Sequence, residues 1–362
     1  MQNAIQPVRN NERIWLMDAL RGLAILGIYI MNLSGFTLYN GDAPNKGVFF
    51  SPADDYVEFF SSVLLQGKFY SIFSFLFGWG VVLQLQRAGS KGLNAVSFVR
   101  RRLAIMFLLG LAHLLFLWTG DIVAFYALVG FVLIWLRNLK DNTLLITAVV
   151  LLLSPILFYF LKMHWPPASA PVNFLRDSAL RLDQYVNNIQ SEEEYFQKVH
   201  TMNYWESIKL NVIGVFFRFE AGPDYYQLKI RGLYATIFYA IGVAPLALAY
   251  IALFFLAART SFGQKLFRHF EPVGKIAFTN YLLHSLIGLI VFTGVGFALD
   301  RQVGPLYYTL FAFLVFFFQI LLSKLWLSRF HYGPVEWLWR SATYGRRQSM
   351  QKISEKNRGT GK

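Results

Sequence analysis

The chain contains no cysteine, so disulfide bonds and thiolate chemistry are excluded. Charged residues are also scarce, because Asp, Glu, Lys and Arg make up 15% of the 362 residues, whereas a typical soluble domain has about 25%. The sequence lacks the HExxH zinc motif, the GxSxG nucleophile elbow, the Walker loop and the dinucleotide fingerprint. These absences argue against a soluble enzyme of any of those classes.

Apolar residues are abundant instead: 56% of the chain is hydrophobic and 18% is aromatic. Several apolar runs reach the roughly 20 residues that an α-helix needs to cross a bilayer. The runs are continuous rather than alternating, which favours helices over the strands of a transmembrane β-barrel. The sequence therefore predicts an all-α, polytopic helical membrane protein whose main partner is the lipid bilayer.

Basic residues outnumber acidic ones, 34 against 20, and the formal net charge is +14. They cluster in short loops, most densely at Arg100–Arg102, and in the C-terminal segment. Short basic loops are typical of the cytoplasmic side of a membrane. No recognition module for nucleic acid accompanies the charge, so we expect no nucleic-acid partner.

The apolar runs predict about eight spans, within a range of about eight to ten, with both termini in the cytoplasm. The approximate spans are Ile14–Phe36, Phe69–Leu85, Leu103–Trp118, Ile122–Leu136, Leu144–Leu161, Leu233–Ala258, Ile276–Leu299 and Leu306–Leu327.

Polar segments divide the rest of the chain. We expect residues 1–328 to form the transmembrane bundle, with an interfacial amphipathic segment at 54–66 and an external loop at 162–206. A basic cytoplasmic tail, residues 329–362, follows, and the composition of its end predicts disorder. The apolar stretch 207–219 is short for a span, and the sequence leaves open whether it crosses the membrane or is re-entrant.

Ionisable side chains inside the predicted spans are the main functional candidates, because burying them in lipid is costly. Asp18 and Arg21 lie three residues apart on one face of the first span. They form either a membrane-surface anchor or a site for an anionic ligand. His113 lies about 16 Å beyond Arg102 along a helix, and Asp121 follows the next turn. That pair suits a general base with an orienting carboxylate, or a hydrogen-bonded core histidine.

Other polar residues are weaker candidates. Asn280 and His284 lie four residues apart on the seventh predicted span, where helix bridging is favoured over substrate binding. Asn32 and Lys68 lie in the outer half of the bundle, at the level of His113. The remaining histidines have no metal-ligand spacing, so no metal site is predicted.

Five stretches of the chain resemble the YeiB-like family of bacterial membrane proteins, which carry a domain of unknown function. They occur in the family's order and extend over nearly the whole chain. The resemblance implies a multi-pass protein of the bacterial cytoplasmic (inner) membrane. The stretches are MDALRGLAILGIYIMN (Met17–Asn32), GKFYSIFSFLFGWG (Gly67–Gly80), RRLAIMFLLGLAHLLFLWTGDIVAFYALVG (Arg101–Gly130), GKIAFTNYLLHSLI (Gly274–Ile287) and GPVEWLWR (Gly333–Arg340).

The beginning of the chain also resembles the transmembrane acyltransferase superfamily, which includes acyltransferase-3 proteins and the lysosomal heparan N-acetyltransferase. The shared R…D-x-x-RG-x-A pattern is matched by Arg13, Asp18, Arg21, Gly22 and Ala24. The sequence departs from this superfamily in two places: Asn32 stands where acyltransferase-3 proteins have a histidine, and residues 39–56 contain none.

The resemblance implies acyl transfer from cytoplasmic acyl-coenzyme A, a co-substrate, with no tightly bound cofactor. The acceptor would be a hydroxyl or amine of a small molecule or glycan at or across the membrane. Asp18, Arg21, Arg101 and Arg102 are the predicted donor-binding residues, since basic side chains hold phosphates through charge-assisted hydrogen bonds. The sequence leaves the acyl chain, the acceptor and the oligomeric state open.

In this interpretation, His113 deprotonates the acceptor and Asp121 orients the histidine. Lys68 or Asn32 would stabilise the oxyanion. The alternative is a transporter or permease-like protein for a small amphiphile or anion, in which His113 couples transport to protons. A non-catalytic membrane protein whose polar residues only bridge helices is the third interpretation.

Overall fold

The computed structural model describes residues 14–39, 49–90, 94–217 and 230–352. Over these ranges the regular structure is helical, and pairing of extended residues is limited to isolated bridges. The all-α prediction is therefore confirmed.

The first helices are α1 (Trp15–Thr37), α2 (Asp54–Leu64), α3 (Lys68–Ser90), α4 (Ala95–Phe116), α5 (Val123–Leu136), α6 (Asp141–His164) and α7 (Ala170–Asn187). The later ones are α8 (Glu192–Thr201), α9 (Tyr204–Phe217), α10 (Ile230–Ala257), α11 (Ser261–Phe267), α12 (Glu271–Lys275), α13 (Ala277–Phe292), α14 (Pro305–Arg329) and α15 (Pro334–Tyr344).

Five segments within the described ranges are long and apolar enough to cross a membrane. They are Trp15–Thr37, Asp54–Ser90, Asp141–His164, Thr236–Ala257 and Pro305–Arg329. The other three predicted spans coincide with α4, α5 and α13, of which α5 and α13 are shorter apolar helices. A multi-helix membrane protein is supported, while the count of about eight spans and the location of the termini stay predictions.

Helix α1 lies at the centre of the bundle and is the most enclosed of these five segments. It packs against α3, α12, α13 and α14. Gly22 and Gly274 allow α1 and α12 to cross closely, because a Cβ atom at Gly274 would overlap the Asp18 carbonyl oxygen and one at Gly22 would overlap the Phe270 carbonyl oxygen. Close crossing at small residues is common between membrane helices.

Helices α4 and α5 form a tight antiparallel pair. Gly110 of α4 lies against the backbone of Ala124 at the start of α5, where a side chain would not fit. Asp121 begins α5 by accepting hydrogen bonds from the Val123 and Ala124 amides, at 3.1 and 2.7 Å. An acceptor at this position satisfies amides that lack partners within the helix.

The segment predicted as a basic tail, 329–362, begins with α15, which folds back onto the bundle. The Trp339 indole donates to the Arg102 carbonyl at 3.0 Å. The buried Glu336 carboxylate accepts from the Phe278 and Thr279 amides, at 2.7 and 3.0 Å. Helix α15 therefore joins α4 to α13. The end of this tail, 353–362, lies outside the described residues.

The segment predicted as an external loop, 162–206, contains α7 and α8. It is tied to the loop after α13, because His200 Nδ1 lies 2.9 Å from a carboxylate oxygen of Asp300. The segment predicted as interfacial, 54–66, forms the short amphipathic helix α2. The ambiguous stretch 207–219 forms most of α9, which packs on α4 and α7, and its last residues lie outside the described ranges.

Candidate functional site

A cavity of about 330 Å³ lies at the end of the bundle where α1 and α4 begin and α3 ends. Its walls come from α1, α3, α4, α5, α12, α13 and α15. We call the charged part of the lining the mouth. It holds five basic side chains and two acidic ones: Arg21, Arg87, Arg102, Lys275 and Arg340, with Asp18 and Glu336.

Asp18 and Arg21 form the ion pair that their spacing predicts, with an Nη1–Oδ1 distance of 2.7 Å. The Asp18 side chain is 9% exposed and that of Arg21 is 29% exposed. Both side chains line the cavity.

The two other predicted donor-binding residues separate, although they are adjacent in sequence. Arg102 lines the mouth, and its guanidinium lies 3.6 Å from the centre of the Trp339 ring. Arg101 lines a different groove, between α4 and α15, together with Trp337 and Arg346. Of Arg101 and Arg102, Arg102 is therefore the one that lines the main cavity.

Beyond the mouth, the lining becomes apolar and aromatic. Phe73 and Phe77 of α3 stack on Tyr126 of α5, with ring centroids 5.8 and 5.4 Å apart. At the inner end the cavity is bounded by Ile122 and Tyr281. A positive mouth above an apolar interior fits an amphiphile with an anionic head.

His113 and Asp121, the predicted base and its carboxylate, are in direct contact. His113 Nδ1 lies 2.9 Å from Asp121 Oδ1, and both side chains are fully buried. On the other side of the ring, Nε2 lies 2.8 Å from the hydroxyl of Ser285. With Nδ1–H donating to the carboxylate, Nε2 has the lone pair that accepts a hydrogen bond from the Ser285 hydroxyl.

This hydrogen-bonded chain lies directly behind the inner end of the cavity. The Tyr281 ring lines the cavity, and its centroid is 5.2 Å from that of His113. The Tyr281 hydroxyl accepts from the Ile122 amide and donates to the Gly120 carbonyl, at 3.2 and 3.3 Å. The Tyr281 ring therefore lies between the cavity and His113.

Asn32 and Lys68, predicted as oxyanion-stabilising residues, have other partners. The Tyr70 hydroxyl donates to the buried Asn32 side chain. Lys68 Nζ donates to the Ser62 carbonyl at 3.3 Å. Among the described residues, neither side chain is hydrogen-bonded to His113.

Asn280 and His284 bridge α13 to α14, which agrees with the structural interpretation of this pair. The Asn280 amide donates to the Ser323 hydroxyl at 3.1 Å. His284 Nε2 donates to the Gln319 side-chain carbonyl at 2.7 Å, and its ring stacks on Tyr29 at 3.8 Å. Sequence reasoning missed the α14 partners because isolated polar residues in an apolar run carry no periodic signal.

Sequence reasoning also missed Ser285. Serine in a helix normally donates to a carbonyl one turn earlier, and many serines of this chain do so, including Ser71, Ser74, Ser178 and Ser207. Nothing in the sequence distinguishes Ser285 from these. Within the described ranges, no group of three or more His, Asp or Glu side chains is arranged to hold a metal ion.

Over the described residues, the protein is all-helical, with five segments apolar and long enough to span a membrane and a cavity that has a positive mouth and an apolar interior. The chain belongs to the DUF418 family. Residues 186–346 match the model of the family described as "Protein of unknown function (DUF418)". The YeiB-like resemblance seen in the sequence is confirmed.

Three bacterial relatives match nearly end to end, and all are described as uncharacterised. YxaH of Bacillus subtilis is 31% identical, over 98% of this chain and 100% of its own length. A protein encoded beside an amylase in Bacillus acidopullulyticus is 29% identical, over 95% and 97%. YeiB of Escherichia coli is 29% identical, over 92% and 96%. No solved structure is significantly similar to the chain.

Proposed function

We propose that the protein is a membrane-embedded acyltransferase that takes an acyl group from acyl-coenzyme A. The observation that carries the proposal is the cavity, which leads from a basic mouth through an aromatic interior to the side chains covering His113. Coenzyme A thioesters have the matching chemistry, with phosphates at one end and an acyl group at the other.

The mouth supplies the attraction for the donor. With five basic and two acidic side chains, it carries a net positive charge, and a low-dielectric wall strengthens its field. Guanidinium groups such as those of Arg21 and Arg102 bind phosphate oxygens through bidentate hydrogen bonds. The apolar interior then stabilises the acyl chain by roughly 0.8 kcal/mol for each buried methylene.

His113 is the group that moves the proton. Its Nε2 lone pair is oriented by Asp121 and accepts a proton as the acceptor hydroxyl or amine attacks the thioester. The mouth lies where the basic loops lie. By the positive-inside rule, this supports a mouth on the cytoplasmic face of the bacterial inner membrane, the side on which acyl-coenzyme A is available.

A transporter for an anionic amphiphile would use the same mouth and is the competing proposal. The feature that favours transfer is the Asp121–His113–Ser285 chain behind the closed inner end. Flux of a fluorescent acyl-coenzyme A into proteoliposomes, without thioester cleavage, would establish transport instead.

The proposal is tested by acyl-coenzyme A binding and cleavage with purified full-length protein in detergent. Acetyl- and octanoyl-coenzyme A serve as probes, and released thiol is read with Ellman's reagent without protein background, since the chain has no cysteine. We expect Arg21→Gln to weaken binding and His113→Ala to bind normally but lose cleavage by about 10²–10⁴-fold. Absence of binding by the folded wild-type protein would overturn the donor assignment.

A further inference from the structure

We propose that Ser285 is the nucleophile of the reaction and carries the acyl group as a covalent ester. This inference rests on the proposed acyltransferase function. Its basis is the geometry in which Asp121, His113 and Ser285 form one continuous hydrogen-bonded chain, with links of 2.9 and 2.8 Å. The carboxylate–imidazole–hydroxyl order is the arrangement that activates a serine.

The hydrogen bonds of His113 fix the direction of proton movement. The Asp121 oxygen that faces Nδ1 also accepts the Val123 amide, and its other oxygen accepts the Ala124 amide, so the carboxyl group acts as an acceptor toward His113. Nδ1 of His113 is therefore the protonated nitrogen, and Nε2 accepts from Ser285. The Ser285 hydroxyl points at a base rather than at a carbonyl of its own helix.

Ser285 also lies on the face of α13 that lines the cavity. Ala277 and Tyr281 of α13 both line it, and Ser285 is the next position at four-residue spacing on the same helix face. His113 continues the corresponding face of α4 beyond Met106, another lining residue. The ring of Tyr281 is the side chain that must move for an acyl group to reach Ser285.

The two half-reactions balance without an added reagent. Ser285 Oγ attacks the thioester carbonyl carbon and its proton passes to His113 Nε2. The C–S bond breaks, and the departing coenzyme A thiolate takes that proton. In the second half, an acceptor hydroxyl or amine gives its proton to His113 and attacks the seryl ester. The C–O bond to Ser285 breaks, and Ser285 recovers a proton from His113.

The experiment traps the ester. Four purified full-length proteins are each incubated with octanoyl-coenzyme A, quenched in acid and analysed by intact mass and peptide mapping. They are the wild type, Ser285→Ala, Ser285→Cys and Ser323→Ala. Ser323 is the matched control, because it is also buried in the bundle and accepts a hydrogen bond from Asn280 rather than a histidine.

We expect one octanoyl group on Ser285 of the wild-type protein and of Ser323→Ala, and none on Ser285→Ala. Cleavage of octanoyl-coenzyme A by Ser285→Ala should fall by at least about a hundredfold. In the cysteine-free chain, Ser285→Cys gives a thioester that neutral hydroxylamine cleaves, whereas the wild-type oxygen ester resists it.

Cleavage of octanoyl-coenzyme A by wild type and Ser285→Ala alike, with no adduct, would overturn the nucleophile and leave the acyltransferase proposal standing. A folded wild-type protein that neither binds nor cleaves the thioester would overturn both. Melting temperature and gel-filtration profile of each variant separate loss of chemistry from loss of folding.

Discussion

Asp121 joins His113 to the first turn of α5: one carboxylate receives both the imidazole Nδ1, at 2.9 Å, and the Ala124 amide, at 2.7 Å. The acid therefore has two separable duties. It caps a helix through both of its oxygens, of which asparagine keeps one, and it fixes which imidazole nitrogen carries the proton, which asparagine does not.

We expect Asp121→Asn to lower the melting temperature less than Asp121→Ala, because asparagine keeps one of the two cap hydrogen bonds. Cleavage of octanoyl-coenzyme A should fall by about 10²–10⁴-fold, because the histidine loses its orienting charge. Asp121→Ala should lose transfer and also about 1 kcal/mol of stability with the cap. Thermal melts and initial rates on the same preparations check both statements. Equal melting losses in the two variants would contradict the division of duties.

Arg101 and Arg102 offer a matched pair for the donor site. Arg102→Gln should weaken acyl-coenzyme A binding by about tenfold or more, the scale of one charge-assisted hydrogen bond. Arg101→Gln removes the same charge from a different groove and should leave affinity within about twofold, given screening by salt. Isothermal titration calorimetry measures both affinities. Equal losses of affinity in the two variants would mean that binding depends on the overall charge and not on contact with Arg102.

Gly274→Ala should destabilise the protein by about 1–3 kcal/mol. The new methyl group would overlap the Asp18 carbonyl oxygen and push apart the α1–α12 crossing that holds Asp18 and Arg21 at the mouth. Gly242→Ala in α10 is the control, because nothing lies within 4 Å of its Cβ position. That variant should be neutral or stabilised by up to about 1 kcal/mol. Melting temperatures in one detergent provide the comparison.

Burial raises the pKa of Glu336 above its ordinary value of 4.5, although hydrogen bonds from Thr279 and nearby amides oppose the shift. A carboxyl group with a raised pKa binds more protons in the folded than in the unfolded state. Its contribution to stability is therefore greatest below pH 4.5 and is lost as pH rises through the folded pKa. From pH 4.5 up to the folded pKa, the melting temperature of Glu336→Gln should fall less with rising pH than that of the wild type. Parallel curves of melting temperature against pH for the two proteins would contradict this prediction.

The contacts that the sequence predicted correctly are between residues close in the chain. Asp18 and Arg21 pair because three residues place them on one face, and His113 meets Asp121 because a short turn returns α5 beside α4. The α-helical class follows from apolar runs long enough to span a bilayer.

Features that depend on packing between distant helices were not predictable. Ser285 is 172 residues from His113 in sequence, and only the tertiary fold brings their side chains within 2.8 Å. The docking of α15 on the bundle was not predicted, because a solvated tail has the same basic composition. Asn32 and Lys68 were grouped with His113 by depth alone, and depth does not specify which face of a helix meets which neighbour.

Helix α15 is synthesised after all the predicted spans, and it completes the mouth of the cavity. Arg340, near the end of the described chain, lines the same cavity as Asp18, near its beginning. A ribosome makes the first helix long before the last, and domains fold from the N-terminus onward. A nascent chain can thus insert all its spans while its mouth is still incomplete. The mouth is complete only when α15 emerges and docks on Arg102 and α13, so premature termination after α14 would leave the proposed donor site without Glu336 and Arg340.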